Sequence, residues 1–344
     1  MSSALEDTAG RQRAPATRIS VVMPVYNAER LLAECLAALR ASRGVDYEVL
    51  VVDDGSTDRS RAIAEAHGCR VIASGGRLGP AGARNRGAEQ ASGDIVFFVD
   101  SDVIVRPDTL SRLAQAFADA SLDGVIAVQA PAMRFRNVCS RYKNLWMYYT
   151  YARRVGENVP LFYTTAAAIR RRAFLEAGGF DLNYTNPNIE DTDFGQKLAR
   201  LGYRIRVLAD LEVEHVKGYD FAGLLRTDFL RSMSLARLKL RKRANALGND
   251  TSVPTGYILS VPLALAGVLA LVLGAAAQLP TACVAGLVML GAVLVLNVPF
   301  LRLLRIHGGL RVWAAGCGIL VIELLAAGAG SAAGIATFVA GRKY

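Results

Sequence analysis

The chain has 344 residues, with 40 Lys and Arg against 30 Asp and Glu, for a formal net charge of +10. That length accommodates two domains. The basic balance suits anionic lipid head groups or phosphate-bearing substrates better than nucleic acid, because no recognised nucleic-acid-binding motif accompanies it. Five cysteines (Cys35, Cys69, Cys139, Cys283 and Cys317) are scattered without a Cys-x-x-Cys pair, which argues against a zinc site or a disulfide framework.

The charge is unevenly spread. Most of it lies before residue 250, and from Tyr257 to Ala340 the chain is almost all Ala, Leu, Val, Gly and Ile. A soluble front part of about 240 residues and a membrane-embedded back part are expected. Residues 1–17 hold no apolar core, so that segment reads as disordered and not as a signal peptide.

In chain order, Arg18 to Asn27 is a strand that stops near Pro24, which supplies no backbone donor. A helix follows with Leu31, Leu32, Cys35, Leu36 and Leu39 on one face. Tyr47–Val52 is a second strand, ending in Asp53-Asp54-Gly55-Ser56-Thr57-Asp58. A helix to about Ala66 and a short strand, Arg70–Ala73, come next. The β-α-β-α-β series predicts a parallel sheet with right-handed crossovers, whose ligands bind beyond the carboxyl ends of the strands.

Gly79 to Ala88 is a Gly-rich turn running into a helix. It lacks the Gly-Lys-Ser/Thr of a P-loop, and it does not directly follow the first strand as a dinucleotide fingerprint does. Arg84, in the helix's first turns, could reach a diphosphate; a solvated surface arginine is the competing reading.

Ile95–Val99 is a short apolar strand that ends in Asp100-Ser101-Asp102. Side chains two apart on an extended chain point to the same side, so Asp100 and Asp102 can converge on one divalent cation. Polar residues thus fall three times at the same sheet edge: Tyr26-Asn27, Asp53-Asp54 and Asp100-Ser101-Asp102. After a helix (107–118) and a strand (124–129), the segment 133–163 is dense in aromatic and basic residues and could wall an acceptor site.

Thr164–Ile169 reads as a strand of small residues. Glu190 and Asp191 open an amphipathic helix, where the N-terminal dipole stabilises an anion and keeps a carboxylate ionised as a general base requires. The strand around Val207-Leu208 is followed by His215, which could complete a metal site.

Together these stretches resemble the family 2 glycosyltransferases, whose GT-A fold binds nucleotide sugars. The resemblance covers residues 18–216. Its marks are Val22 to Asn27, Val51 to Asp58, Ala83-Arg84-Asn85, Asp100-Ser101-Asp102, Gly178-Gly179-Phe180-Asp181 and Glu190 to Phe194. It implies an α/β fold with a mostly parallel sheet flanked by helices, followed by a helical membrane domain. It implies that Pro24, Val25 and Tyr26 line a nucleoside pocket, and that Asp53 and Asp54 contact base or ribose. Arg84 would lie near the nucleoside and diphosphate. Asp100, with Ser101 beside it, would contact the sugar or ribose; Asp102 and His215 would hold a divalent metal (Mn or Mg). Asp191 would be the catalytic base, supported by Glu190. Where the family carries a Gly-rich loop before the acid motif, this chain has Ala166-Ala167-Ala168.

From Phe221 to Leu247 the pattern is amphipathic and very basic, as in an interfacial helix. The Gln-x-x-Arg-Trp signature of processive synthases is absent there, which favours single-sugar transfer. The expected organisation is a disordered N-terminus (1–17), a GT-A domain (18–219), basic interfacial helices (220–250) and a transmembrane domain (251–344). About three spans are expected, at 257–277, 281–304 and 312–340, the third either crossing or re-entering. The basic loop with Arg302, Arg305, His307 and Arg311 belongs on the cytoplasmic side. The reading is a multi-pass inner-membrane, inverting glycosyltransferase with a cytoplasmic catalytic domain. It would move one sugar from a UDP- or GDP-sugar to a hydroxyl of a lipid or lipid-linked glycan. The rivals are transfer to a polyprenyl phosphate and a non-catalytic membrane scaffold.

Overall fold

The structure, a computed structural model, describes residues 17–185, 188–243, 250–342 and 344. The segment expected to be disordered lies, but for Thr17, outside the described residues, as does 244–249 of the basic region.

The N-terminal part is built on an eight-stranded sheet. Its strands are β1 (Ile19–Val25), β2 (Tyr47–Asp53), β3 (Arg70–Ala73), β4 (Ile95–Val99), β5 (Val103–Val105), β6 (Gly124–Gln129), β7 (Ala166–Arg170) and β8 (Ile205–His215). Their spatial order is β3-β2-β1-β4-β7-β6-β8-β5. β3, β2, β1 and β4 run parallel, as do β6 and β8. β7 is antiparallel to both β4 and β6. Two reversals restore the direction, so β1, β2, β4, β6 and β8 all end at one edge, and β7 begins there. That edge gathers the polar strand ends.

Both sheet faces are covered, which is why the strands read as unbroken apolar runs. Alternate residues serve opposite faces. Val22, Val52 and Phe98 pack on one side, with α3 (Gly79–Gln90), α6 (Arg171–Glu176) and α7 (Glu190–Arg200). Val21, Met23 and Phe97 pack on the other, with α1 (Leu32–Arg40), α2 (Ser60–Ala66) and α4 (Thr109–Ala116). On the first side Phe98 sits 5.1 Å from Phe174 and 5.5 Å from Phe180, ring centre to ring centre. Such aromatic pairs each add about 0.5–1.5 kcal/mol beyond the area they bury.

Pro24 lies inside β1, not at its exit. It pairs with Val52 of β2, but β4 pairs only as far as Val22, so on that side no partner strand asks Pro24 for a donor. The last strand is longer than its apolar pair suggests. β8 continues to His215 after a register shift opposite Ala127 and Val128, and its final residues pair antiparallel with β5. The irregularity at Ala209-Asp210 interrupts the alternation of Leu211-Glu212-Val213-Glu214 with what precedes it.

The aromatic and basic segment 133–163 contains α5 (Val138–Ala152). It packs against the C-terminal helices through Tyr142, Leu145 and Trp146. These helices are α8 (Phe221–Lys242), α9 (Thr255–Ala276), α10 (Pro280–Leu296), α11 (Val298–Leu303), a π-helical turn (Leu304–Gly308) and α12 (Gly309–Val339). α9 and α10 form an antiparallel hairpin that closes where Gly267 meets Gly286. The stretch expected as one span at 281–304 is two helices. Asn297 separates them, donating to Ser260 Oγ at 2.8 Å and to the Val293 carbonyl at 2.9 Å, and Pro299 follows. By length and composition, Thr255–Ala276 and the run Val298–Val339 could each cross a membrane, whereas Pro280–Leu296 is shorter.

Candidate active site

The polar strand ends open into one cavity of about 1070 Å³. It is lined by Pro24, Val25, Tyr26, Asp54, Arg84, Asp100, Ser101, Asp102, Glu190, Asp191 and His215. Of the site residues that the family resemblance implies, only Asp53 is missing from this wall. Its carboxylate turns back to accept the Ser56 N–H at 2.9 Å, so it shapes the turn after β2 instead of facing a ligand. Asp54 does face the cavity, but both its oxygens are engaged. They accept the N–H groups of Leu78 at 2.8 Å and Gly79 at 2.9 Å, pinning the start of α3.

Gly79 itself has φ +75°, and a Cβ there would meet the Thr185 carbonyl at 2.2 Å. Only glycine fits both demands. This contact closes the loop before α7 onto the loop before α3. Asn85 fastens the same two regions, accepting the Phe180 N–H and donating to the Phe180 carbonyl, both at 2.9 Å.

Arg84 is not a solvated surface residue, and its side chain does not stand free for a diphosphate. It is buried, and its guanidinium bridges Asp100 at 2.8 Å and Glu190 at 2.9 Å. The fixed fork of an arginine suits two carboxylates brought together from separate elements. Arg84 therefore joins the end of β4 to the start of α7.

Asp102 and His215 meet at the cavity rim. Asp102 Oδ2 lies 3.3 Å from His215 Nε2. Burial pushes the Asp102 carboxyl up, but the hydrogen bond and charge of His215, with Lys217 behind them, outweigh it and hold the group below its ordinary value. His215 Nδ1 lies 3.0 Å from the Gln129 side-chain amide, which also donates to the Tyr163 hydroxyl at 2.7 Å. A carboxylate oxygen and an imidazole nitrogen this close can share one divalent ion, and the carboxylate is the kind of ligand Mg²⁺ or Mn²⁺ takes. Among the described residues no group of three or more His, Cys, Asp or Glu side chains forms a closed cage. An ion held here would take its other ligands from substrate or water, as ions that bridge protein carboxylates to phosphates do.

Asp191 is buried at the start of α7, where it accepts the Thr192 N–H at 2.6 Å and the Thr192 hydroxyl at 3.2 Å. Burial first, and then the neighbouring charge of Glu190, push its carboxyl up to about 6; the charges of Arg231 and Arg84 oppose them. A carboxyl poised there is ionised at neutral pH yet basic enough to take a proton.

The basic residues of α8 are used differently from those of a lipid-facing helix. Arg226, Arg231 and Arg237 line the cavity. Arg241 donates to Asp193 Oδ2 at 2.6 Å, and Lys242 pairs with the same carboxylate, so this end of α8 is locked to α7. Gln129, Arg77, Tyr163 and Arg231 were not singled out in the sequence, yet they line the cavity. Gln129 was the most legible of them, as a polar end to an apolar strand. Arg231 carried no signal beyond its place in a basic run.

Residues 20–178 match the model of the family described as Glycosyl transferase family 2. Glycosyltransferase GlyG of Streptococcus pneumoniae is 36% identical over 113 residues, covering 31% of this chain and 38% of that protein. The undecaprenyl-phosphate 4-deoxy-4-formamido-L-arabinose transferase of Pseudomonas paraeruginosa is 40% identical over 113 residues, covering 30% of this chain and 33% of its own length. The chain thus spans only about a third of the length of these curated relatives. Among solved structures, the mannosyltransferase PcManGT of Pyrobaculum calidifontis, in complex with GDP-Man and Mn²⁺, superposes with a TM-score of 0.57 at 22% identity. That match covers 90% of this chain and 86% of the other. It shows the fold, a GT-A-type sheet followed by helices. Residues 20–178 thus carry a domain of glycosyl transferase family 2.

Proposed function

We propose that the chain is a membrane-bound inverting glycosyltransferase. It moves one sugar from a nucleotide-sugar donor to a hydroxyl of a membrane-associated acceptor, a lipid or lipid-linked glycan. The observation that carries this reading is the shared cavity: Asp102 and His215 on the sheet edge, and Asp191 on α7, open into the same space. Pro24, Val25 and Tyr26 offer the nucleoside a wall, and Arg77 lies 3.9 Å above the Tyr26 ring. Asp100 and Ser101, also in the wall, would contact the sugar or ribose. Asp102 and His215 would hold the divalent ion, Mn²⁺ or Mg²⁺, which when bound neutralises charge developing on the leaving diphosphate.

Asp191 takes the proton of the acceptor hydroxyl as its oxygen attacks the anomeric carbon. The new glycosidic bond forms as the bond to the diphosphate breaks, and direct displacement inverts the carbon. Glu190 and Arg84 position this base, because the Arg84 bridge fixes the first turn of α7 against β4. PcManGT holds GDP-Man, which supports testing GDP-sugars first, with UDP-sugars beside them. The undecaprenyl-phosphate transferase among the relatives supports a membrane-lipid acceptor, and its name speaks for the polyprenyl-phosphate rival rather than for a hydroxyl.

The test is a panel of UDP- and GDP-sugars with purified protein and Mn²⁺ or Mg²⁺. One donor should raise the melting temperature only with metal present, since a ligand specific to the folded state stabilises it. The same donor should be consumed. Asp191→Asn should bind that donor but transfer no sugar. Full turnover by Asp191→Asn, or no donor stabilisation in any combination, overturns the reading.

A further inference from the structure

α12 is the longest apolar helix among the described residues, and it is tied to the catalytic domain at both ends. Before it begins, Arg141 of α5 donates to the His307 carbonyl at 2.6 Å. Beyond its midpoint, Arg237 of α8 donates to Thr337 Oγ1 at 3.0 Å and to the Tyr344 carbonyl at 2.8 Å. The Tyr344 hydroxyl donates to Asp181 at 3.1 Å, and its ring sits 5.4 Å from Tyr184.

Between these ties the helix stays on the domain. Glu323, wholly buried, accepts the Tyr142 hydroxyl at 2.5 Å and lies 3.5 Å from Lys143 Nζ. Lys143 also pairs with Asp228 of α8, and it lines the catalytic cavity. One helical turn apart, Gly330 and Gly334 lie so close to α8 that a Cβ would meet the Phe229 carbonyl at 2.2 Å and the Met233 carbonyl at 2.4 Å. α12 therefore runs along α8, backbone against backbone, for its second half.

A 31-residue helix is about 46 Å long. If α12 crossed the bilayer, Glu323 near its middle would sit near the bilayer centre. Lys143, which lines the catalytic cavity, and its partner Asp228 would have to sit there with it, and burying such charges in hydrocarbon is costly. The opposite face of α12 tells what covers it. Leu310, Trp313, Ile322, Ile335 and Val339 are exposed. From residue 312 to 341 the only charged side chain is Glu323, which faces inward. So long an apolar face is not left to water. It is continuous with the α9–α10 hairpin, whose Leu269, Val272, Val284 and Val288 are also exposed.

We propose that α12 is not a span but lies in the plane of the bilayer interface, apolar face in lipid and Glu323 face on the catalytic domain. In this arrangement the α9–α10 hairpin crosses the membrane, and both ends of α12 remain on the catalytic side. The inference rests on the membrane-bound reading above. Its consequence is that α8, one wall of the cavity, sits directly behind an interfacial helix. An acceptor lipid would then reach the cavity from the membrane surface.

The test uses full-length protein in sealed vesicles with the catalytic domain outward. Single cysteines replace Arg43, Gln278, Arg311 and Arg342, and an impermeant polyethylene-glycol maleimide is scored as a gel shift beyond that of the parent's own cysteines. Arg43→Cys, in the catalytic domain, is the reference. Arg311→Cys and Arg342→Cys should both shift without detergent, and Gln278→Cys only after detergent. Protection of Arg342→Cys while Arg311→Cys reacts would make α12 a span and overturn the proposal. Labelling of all four sites without detergent also overturns it; if alkaline carbonate then releases the chain from the vesicles, the membrane-bound reading itself falls.

Discussion

Arg84 and Glu190 are joined by a 2.9 Å ion pair in which both side chains are almost wholly buried, and the other arm of Arg84 holds Asp100 at 2.8 Å. Two carboxylates that would repel one another are thereby held by one guanidinium in the cavity wall. Removing the cation leaves uncompensated buried charge, which typically costs about 3–5 kcal/mol. Arg84→Met should therefore lower the melting temperature sharply, measured in detergent without ligand. The double variant Arg84→Met/Glu190→Gln should recover part of the loss, because one of the stranded charges is gone. No recovery in the double variant would show that this bridge is not what holds α7 to β4.

Gln129 stands behind His215 as His215 stands beside Asp102. For His215 to offer the Nε2 lone pair to a metal, its proton must sit on Nδ1, 3.0 Å from the Gln129 amide. The amide, turned over so that its oxygen replaces its nitrogen there, then accepts both that proton and the Tyr163 hydroxyl's, since amide orientation is assigned from the partners. Partners of this kind fix the ring and the tautomer, and losing one typically lowers metal affinity by about 10–100-fold. Gln129→Leu should weaken Mn²⁺ binding in that range by calorimetry with donor present. Asp102→Ala should abolish it, and chelation should silence the parent enzyme. An unchanged metal affinity in Gln129→Leu would remove it from this role.

Much of this site is legible in the sequence because each strand ends on polar residues, and a parallel sheet brings such ends to one edge. Tyr26, Asp54, Asp100 and Asp102 follow from that rule alone. Glu190 and Asp191 follow from the start of an amphipathic helix. What stays hidden depends on packing between distant elements. Nothing local distinguishes Asp53 from Asp54, yet one serves its own turn and the other the cavity wall. Arg84 looks like any early helix cation until α7 is packed against it. Likewise Glu323 reads as an interruption in an apolar stretch, and its partners Tyr142 and Lys143 come from a helix far back in the chain.

Gly79 is a second place where the tertiary contact decides. At φ +75° an alanine is strained in the left-handed region, and its Cβ would strike the Thr185 carbonyl. Backbone strain of this kind costs on the order of 1–3 kcal/mol. Gly79→Ala should loosen the loop that Asp54 pins through the Leu78 and Gly79 N–H groups. Donor affinity should fall with little loss of metal binding. Equal losses of both would place the damage in the whole domain and not in that loop.

The pH dependence of the reaction should report Asp191. Its carboxyl is raised from an ordinary 3.8 to about 6, chiefly by burial. A base must be ionised to accept a proton, so kcat/KM at saturating metal should rise with pH through about 6 and then level. The stability effect has the opposite sign. Between about 4 and 6 the folded state holds a proton that the unfolded state has lost, so stability falls as pH rises across that window. At neutral pH the ionised carboxylate is thus a burden on the fold. Asp191→Asn keeps the shape and removes the charge, and it should be more stable than the parent at pH 7.5 by on the order of 1–3 kcal/mol, while transferring no sugar. Thermal melts of both proteins at pH 4.5 and pH 7.5 check this, because the gap between them should shrink at the lower pH. A variant less stable than its parent at pH 7.5 would mean that Asp191 is held in the fold as a stabilising anion, not as a strained base.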